Sequence, residues 1–163
     1  MGNLGQLNAS LSVSFSNRSC KETSCSAVNP AADGLDNQMK LAKKHKVKVL
    51  FGTDFVGSME LKKLQNVEFT NRTKWFSNAE ILKQATSINA EILALSGPRN
   101  PYPGELGVIA EGAYADLLLI NGNPIEDILI LTKPEENLAL IMKDGKIYKN
   151  TVTTQEIQNI AYY

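Results

Sequence analysis

The chain has 163 residues, 43% hydrophobic and 21% charged, a globular composition of ordinary domain size that excludes the disordered and collagen-like classes. Lysine plus arginine and aspartate plus glutamate number 17 each, so no whole-molecule field draws the chain to nucleic acid or to an anionic membrane. Neither partner is expected.

In chain order, residues 1–32 are rich in Ser and Asn, with little periodicity, and read as a poorly ordered leader. They lack a basic start followed by an apolar core, so secretion is not expected and a cytoplasmic location is. Gln6 stands where a myristoylation signal after Met1-Gly2 wants Ser or Thr. Without a secretory route Cys20 and Cys25 read as free thiols. The triplets Asn8-Ala9-Ser10, Asn17-Arg18-Ser19 and Asn71-Arg72-Thr73 then read as chance matches to the glycosylation pattern.

Between Asp33 and Lys46 the spacing of Leu35, Met39 and Ala42 predicts a helix, with Lys40, Lys43, Lys44 and Lys46 at or near its other face. The cationic end suits the helix dipole. His45, the only histidine, reads as a solvated helix-end residue. Val47-Lys48-Val49-Leu50-Phe51-Gly52-Thr53-Asp54 then reads as a buried strand with a carboxylate at its C-terminal tip. In parallel α/β units that tip opens onto the functional crevice, which makes Asp54 the first candidate site residue. Phe55 to Ser58 is a loop in which Gly57 and Ser58 could line a pocket.

Met59 to Trp75 has too weak a pattern to assign beyond partly helical. Ser77-Asn78-Ala79-Glu80 is a capping box that starts a helix, with Phe76 as a hydrophobic staple toward Ile81; a substrate-wall role for Trp75 and Phe76 is the lesser reading. Ile81, Leu82, Ala85, Ile88, Ile92 and Leu93 carry its apolar stripe, with Thr86-Ser87 and Asn89 as candidate breaks into two short helices, and Gly97-Pro98 ends it. Leu106 to Ile109, Ala115 to Ile120 and Leu138 to Met142 read as strands. Asn121 to Pro124 is a turn, Glu126 to Leu131 a short helical or extended piece, and Asp144-Gly145 a two-residue hairpin turn into Ile147-Tyr148-Lys149. Asp116, Asp127 and Asp144 read as structural acids at strand entries, turns or caps.

Five groups of residues together resemble the C-terminal part of the metal-dependent amidohydrolase superfamily, in its imidazolonepropionase-like and Xaa-Pro dipeptidase-like members. They are Phe51-Gly52-Thr53-Asp54; Ile81 to Thr86 with Asn89-Ala90; Gly107 to Leu117; Gly122 to Ile128; and Met142 to Lys146. The resemblance runs from about Leu35 to Asn150. It implies an α/β fold, namely the last βα portion of a (β/α)8 TIM barrel with strand 47–54 and its flanking helices within 33–98. The C-terminal part of a small β-sandwich would follow over 99–150, and a tail over 151–163. It also implies metal-dependent hydrolysis of carbon–nitrogen bonds in a small-molecule amide or dipeptide, with Asp54 as metal ligand and general base. A carboxylate beside a divalent metal can serve in both ways.

The departures count equally. The family's His-x-His pair and its further Lys, Glu and His ligands have no counterpart in a chain whose one histidine is His45. A catalytic zinc site takes about three protein ligands, and a closed barrel takes roughly 250 residues. Zinc is the metal implied for the complete enzyme, and none is expected to be bound by this chain alone. Two readings therefore stand: an amidohydrolase that is inactive alone, or a non-catalytic truncated remnant. Self-association through exposed barrel edges is expected of either.

Overall fold

The computed structural model describes residues 30–54, 59–102 and 104–153; residues 1–29 of the expected leader, its cysteines, Gly57, Ser58 and most of the tail lie outside them, while residues 30–32, also read as leader, are helical. Helix α1 spans Pro30–Lys44, beginning at a proline, which the first helical turn tolerates because its missing N–H would have had no partner there. Leu35, Met39 and Ala42 are buried, as their spacing requires. The helix stops short of the expected Lys46. Lys46 adopts a left-handed conformation, φ 53°; its N–H donates to Lys43 O (3.2 Å) and the Val47 N–H donates to Ala42 O (2.8 Å). This pair of bonds is a Schellman motif, with Lys46 in the place glycine usually takes.

Residues 47–54 are extended but belong to no strand ladder among the described residues, which corrects the strand expected there. Alternation still holds. Val49 is 2% exposed, and Val47 and Phe51 pack with it against Leu35, Met39, Phe76 and Ile81 in the first core cluster. A ladder requires a neighbouring strand, and the neighbours a parallel sheet would supply are absent among the described residues.

Two short helices follow, α2 (Met59–Lys63) and α3 (Val67–Asn71), and a 3-10 turn over Arg72–Lys74. Helix α4 (Asn78–Lys83) starts at the expected capping box. Ser77 Oγ accepts from the Glu80 N–H at 3.3 Å, and the Glu80 carboxylate accepts from the Ser77 N–H and hydroxyl, each at 2.8 Å. Phe76 and Ile81 share the core as the staple requires. Ser77→Ala should cost about 1 kcal/mol, which a thermal melt would read as a loss of roughly 3 °C. An unchanged melting point would mean that solvent serves the Glu80 amide as well.

The helix does not break after α4. Gln84–Ile88 winds as a π turn and continues into α5 (Asn89–Ala94); Gly97, at φ 57°, leads out of it. Leu106 to Ile109 forms no strand. Ile109 is 93% exposed, so the end of that run is left uncovered among the described residues.

The remaining elements are β1 (Leu117–Ile120), a 3-10 turn (Ile128–Thr132), α6 (Pro134–Asn137), β2 (Leu138–Lys143) and β3 (Lys146–Asn150). The sheet is antiparallel in the order β1-β2-β3. Asp144 and Gly145 close the β2–β3 hairpin with φ of 50° and 73°, the signs a type I′ turn demands. Ile128, Leu131 and Leu138 form a second core cluster. Phe69 packs against both clusters, and the Asn66 side chain donates to Leu131 O at 2.9 Å, which ties the helical and β parts together.

Candidate functional site

Asp54 is exposed at the end of the extended segment, in a left-handed conformation of φ 53°. Aspartate tolerates that region better than most residues, and a non-glycine residue held there is a reason to look for function. Three residues earlier, Phe51 is held in an unusual way. Its N–H donates to Asn89 Oδ1 at 2.9 Å and its carbonyl accepts from Asn89 Nδ2 at 3.0 Å. One side-chain amide thus supplies both bonds that a neighbouring strand would have made.

Asn89 reaches Phe51 because of the π turn. One residue more than an α-turn holds is wound into Gln84–Ile88, so the positions beyond it are displaced around the helix by roughly 100°. Ile81, Gln84 and Asn89 are thereby brought to one side, facing α1 and the extended segment. The Thr86 hydroxyl donates back to Leu82 O at 2.8 Å, which occupies a carbonyl within the altered turn. On the opposite flank Gly107, at φ 71°, lies against the turn: a Cβ there would stand 2.7 Å from the carbonyl carbon and oxygen of Thr86 and 3.0 Å from Ala90 Cβ.

Behind Phe51 is a buried polar cluster that the sequence did not reveal. Arg72 is 1% exposed. Its Nε donates to Glu68 Oε1 at 2.7 Å and its Nη1 to Gln84 Oε1 at 2.8 Å, while the guanidinium lies 4.8 Å from the centre of the Phe51 ring. Nη2 is buried with no hydrogen-bond partner. Burial pushes the Glu68 carboxyl above its ordinary value, against the pull of Arg72. A Glu and an Arg four apart on a short helix would ordinarily be a solvated pair; here Phe51 and the π turn cover them.

The other candidates fall into structural places. The Trp75 indole N–H donates to Asp36 Oδ1 at 2.8 Å, and the staple occupies Phe76. Asp116 accepts from Lys143 Nζ and from the Asp144 N–H, both at 2.7 Å, and these two donors hold its carboxyl below the usual range. Asp127 caps the Ile128–Thr132 turn by accepting from the Leu129 N–H at 2.9 Å. His45 is exposed at the end of α1. Lys48, within the extended segment, pairs with Glu91 of α5.

Asp54 lines neither of two concavities found among the described residues. An open groove of about 540 Å³ is bordered by Gly112, Tyr114, Asp144 and Gly145; a smaller one of about 220 Å³ lies among Lys43, Val47, Val49, Phe76 and Gln84. Among the described residues no group of three or more His, Cys, Asp or Glu side chains could hold a metal ion. Asp54 is the right kind of donor for a divalent metal, but one carboxylate does not make up a donor set. No helix of the described residues is long and apolar enough to cross a membrane.

An extended segment ending in an aspartate, followed by a capped helix and a three-stranded module, is the C-terminal arrangement expected of a metal-dependent amidohydrolase. The profile of the amidohydrolase family matches residues 8–148, and the chain belongs to that family. The match begins within the stretch read as a leader. Among solved structures, an amidohydrolase superimposes with a TM-score of 0.61 at 34% identity, over 72% of this chain and 26% of its own. A prolidase complexed with N-methylphosphonate-L-proline gives 0.59 at 33%, over 70% and 26%, and an ochratoxinase from A. niger gives 0.60 at 27%, over 74% and 26%. No curated protein matches the chain. The chain spans about a quarter of the length of these structures. The likeness implies a TIM-barrel-type fold for the family, to which the described residues contribute a small mixed α/β portion.

Proposed function

We propose that this chain carries one acid, Asp54, of a metal-dependent hydrolytic centre acting on carbon–nitrogen bonds of small amides or dipeptides. The observation that carries the reading is the placement of Asp54 at the tip of the extended segment, in a left-handed conformation, within a region similar to amidohydrolases and a prolidase. The segment corresponds to the last barrel strand, and β1 to β3 to the C-terminal part of the sandwich. Asp54 would serve as metal ligand and proton acceptor. The donors described here do not complete the site, so the isolated chain is read as inactive. A non-catalytic remnant is the second reading, favoured by the same lack of a ligand group among the described residues.

Elemental analysis of the purified chain after dialysis against metal-free buffer, with Asp54→Asn in parallel, tests this. Well below one ion per chain is expected of both. A near-stoichiometric ion lost in Asp54→Asn would show that the chain completes a centre by itself, and an ion retained in Asp54→Asn would remove Asp54 from the site.

A further inference from the structure

We infer that Asn89 is the positioning residue of this site: by clamping both backbone groups of Phe51 it acts as a surrogate for one strand rung and fixes where the carboxylate of Asp54 stands. The inference rests on the reading of Asp54 given above. Three observations carry it.

The first is that the clamp is reciprocal. A backbone N–H and carbonyl of one residue, separated as in an extended chain, are matched by the acceptor and donor of a single planar amide at 2.9 and 3.0 Å. Among the described residues no backbone hydrogen bond joins 48–54 to any other segment, so this amide is the polar tie of the segment's C-terminal half. Second, the helix is built to deliver it. A π turn costs good α-helical bonds and persists where the surroundings favour it; here Gln84 at its start binds Arg72, and Asn89 follows its last residue. Third, the turn is braced from the other side by Gly107, whose approach to Thr86 leaves no room for a side chain. Phe51 and Asp54 stand three positions apart, roughly 10 Å along an extended chain. Over that distance a fixed rung holds the tip and a lost rung frees it.

The test reads backbone order rather than metal, so it fails separately from the assignment of Asp54. In the wild-type chain, amide hydrogen exchange of Phe51 should be protected and the relaxation order parameter of Asp54 should be near 0.8, as for a rigid backbone. Asn89→Ala should lose at least tenfold in Phe51 protection and bring the Asp54 order parameter below about 0.6. Asn89→Asp supplies the control. Its ionised carboxylate can accept from Phe51 but cannot donate to the Phe51 carbonyl, whereas the protonated acid can do both. Order at both residues should therefore be low at pH 7 and return as the pH falls below the ordinary aspartate range, about 3.9. Should Asn89→Ala leave either residue unchanged, or Asn89→Asp show no recovery in acid, the inference is overturned. Asn89→Asp in acid also serves if Asn89→Ala does not fold.

Discussion

Arg72→Ala should be the most damaging single substitution in the helical half, costing about 3–5 kcal/mol at neutral pH because it leaves the buried Glu68 carboxylate without its cation. The loss should appear as a melting point lowered by roughly 10 °C. Arg72 also lays its cation over the Phe51 ring and donates to Gln84, so its removal loosens the cluster on both sides. The effect should depend on pH in a definite direction. An acid whose pKa is higher in the folded state binds its proton first when folded, so lowering the pH favours the folded chain at that group. Glu68 is already raised in the native protein, and losing Arg72 raises it further. The gap between variant and wild type should thus narrow on going from pH 7 toward pH 4. Removing both charges, in Glu68→Gln with Arg72→Met, should recover more than half the loss, since no unpaired charge remains buried. A gap independent of pH, with no recovery in the double variant, would mean that lost packing dominates.

Gly107→Ala should cost about 2–4 kcal/mol, the sum of a side chain forced to positive φ and one overpacked against backbone. The Cβ would meet main-chain carbon and oxygen of Thr86 at 2.7 Å, atoms that can retreat only if the π turn shifts. Gly112→Ala provides the comparison: φ is 86° there as well, but a Cβ would meet nothing within 4 Å. It should cost about 1 kcal/mol, for conformation alone. Equal losses in chemical denaturation of the two variants would contradict the role given to the close approach.

Much of the local architecture was legible because it is written in short-range chemistry. The Ser77–Glu80 box, the Asp144-Gly145 turn and the stripe of Leu35, Met39 and Ala42 each depend on residues a few positions apart. What was hidden depends on distant neighbours. Lys46 ends α1 with no glycine to announce it, since the Schellman bonds and the contact of Val47 with the core hold the left-handed turn. Glu68 and Arg72 have the spacing of a surface pair, and only the folded position of Phe51 and Gln84 buries them. Leu106 to Ile109 reads as a strand by composition but finds no partner among the described residues. Asp54 could be chosen from its place at the end of an apolar run. Asn89 could not be singled out: four and eight positions after Ala85 and Ile81 it reads as a polar break in the apolar stripe, and only the π turn aligns it with Gln84 and Phe51.

That turn makes the length of the helix, and not merely its composition, part of what the sequence specifies. Deleting one residue between Gln84 and Ile88 would restore ordinary α-winding and leave Asn89 directed at Phe51, because the π turn already sets the positions beyond it back by one residue's rotation. A residue inserted there would instead rotate Asn89 away by roughly 100° without altering any residue of the clamp, so among related chains the segment from Gln84 to Asn89 should tolerate loss of one residue better than insertion of one.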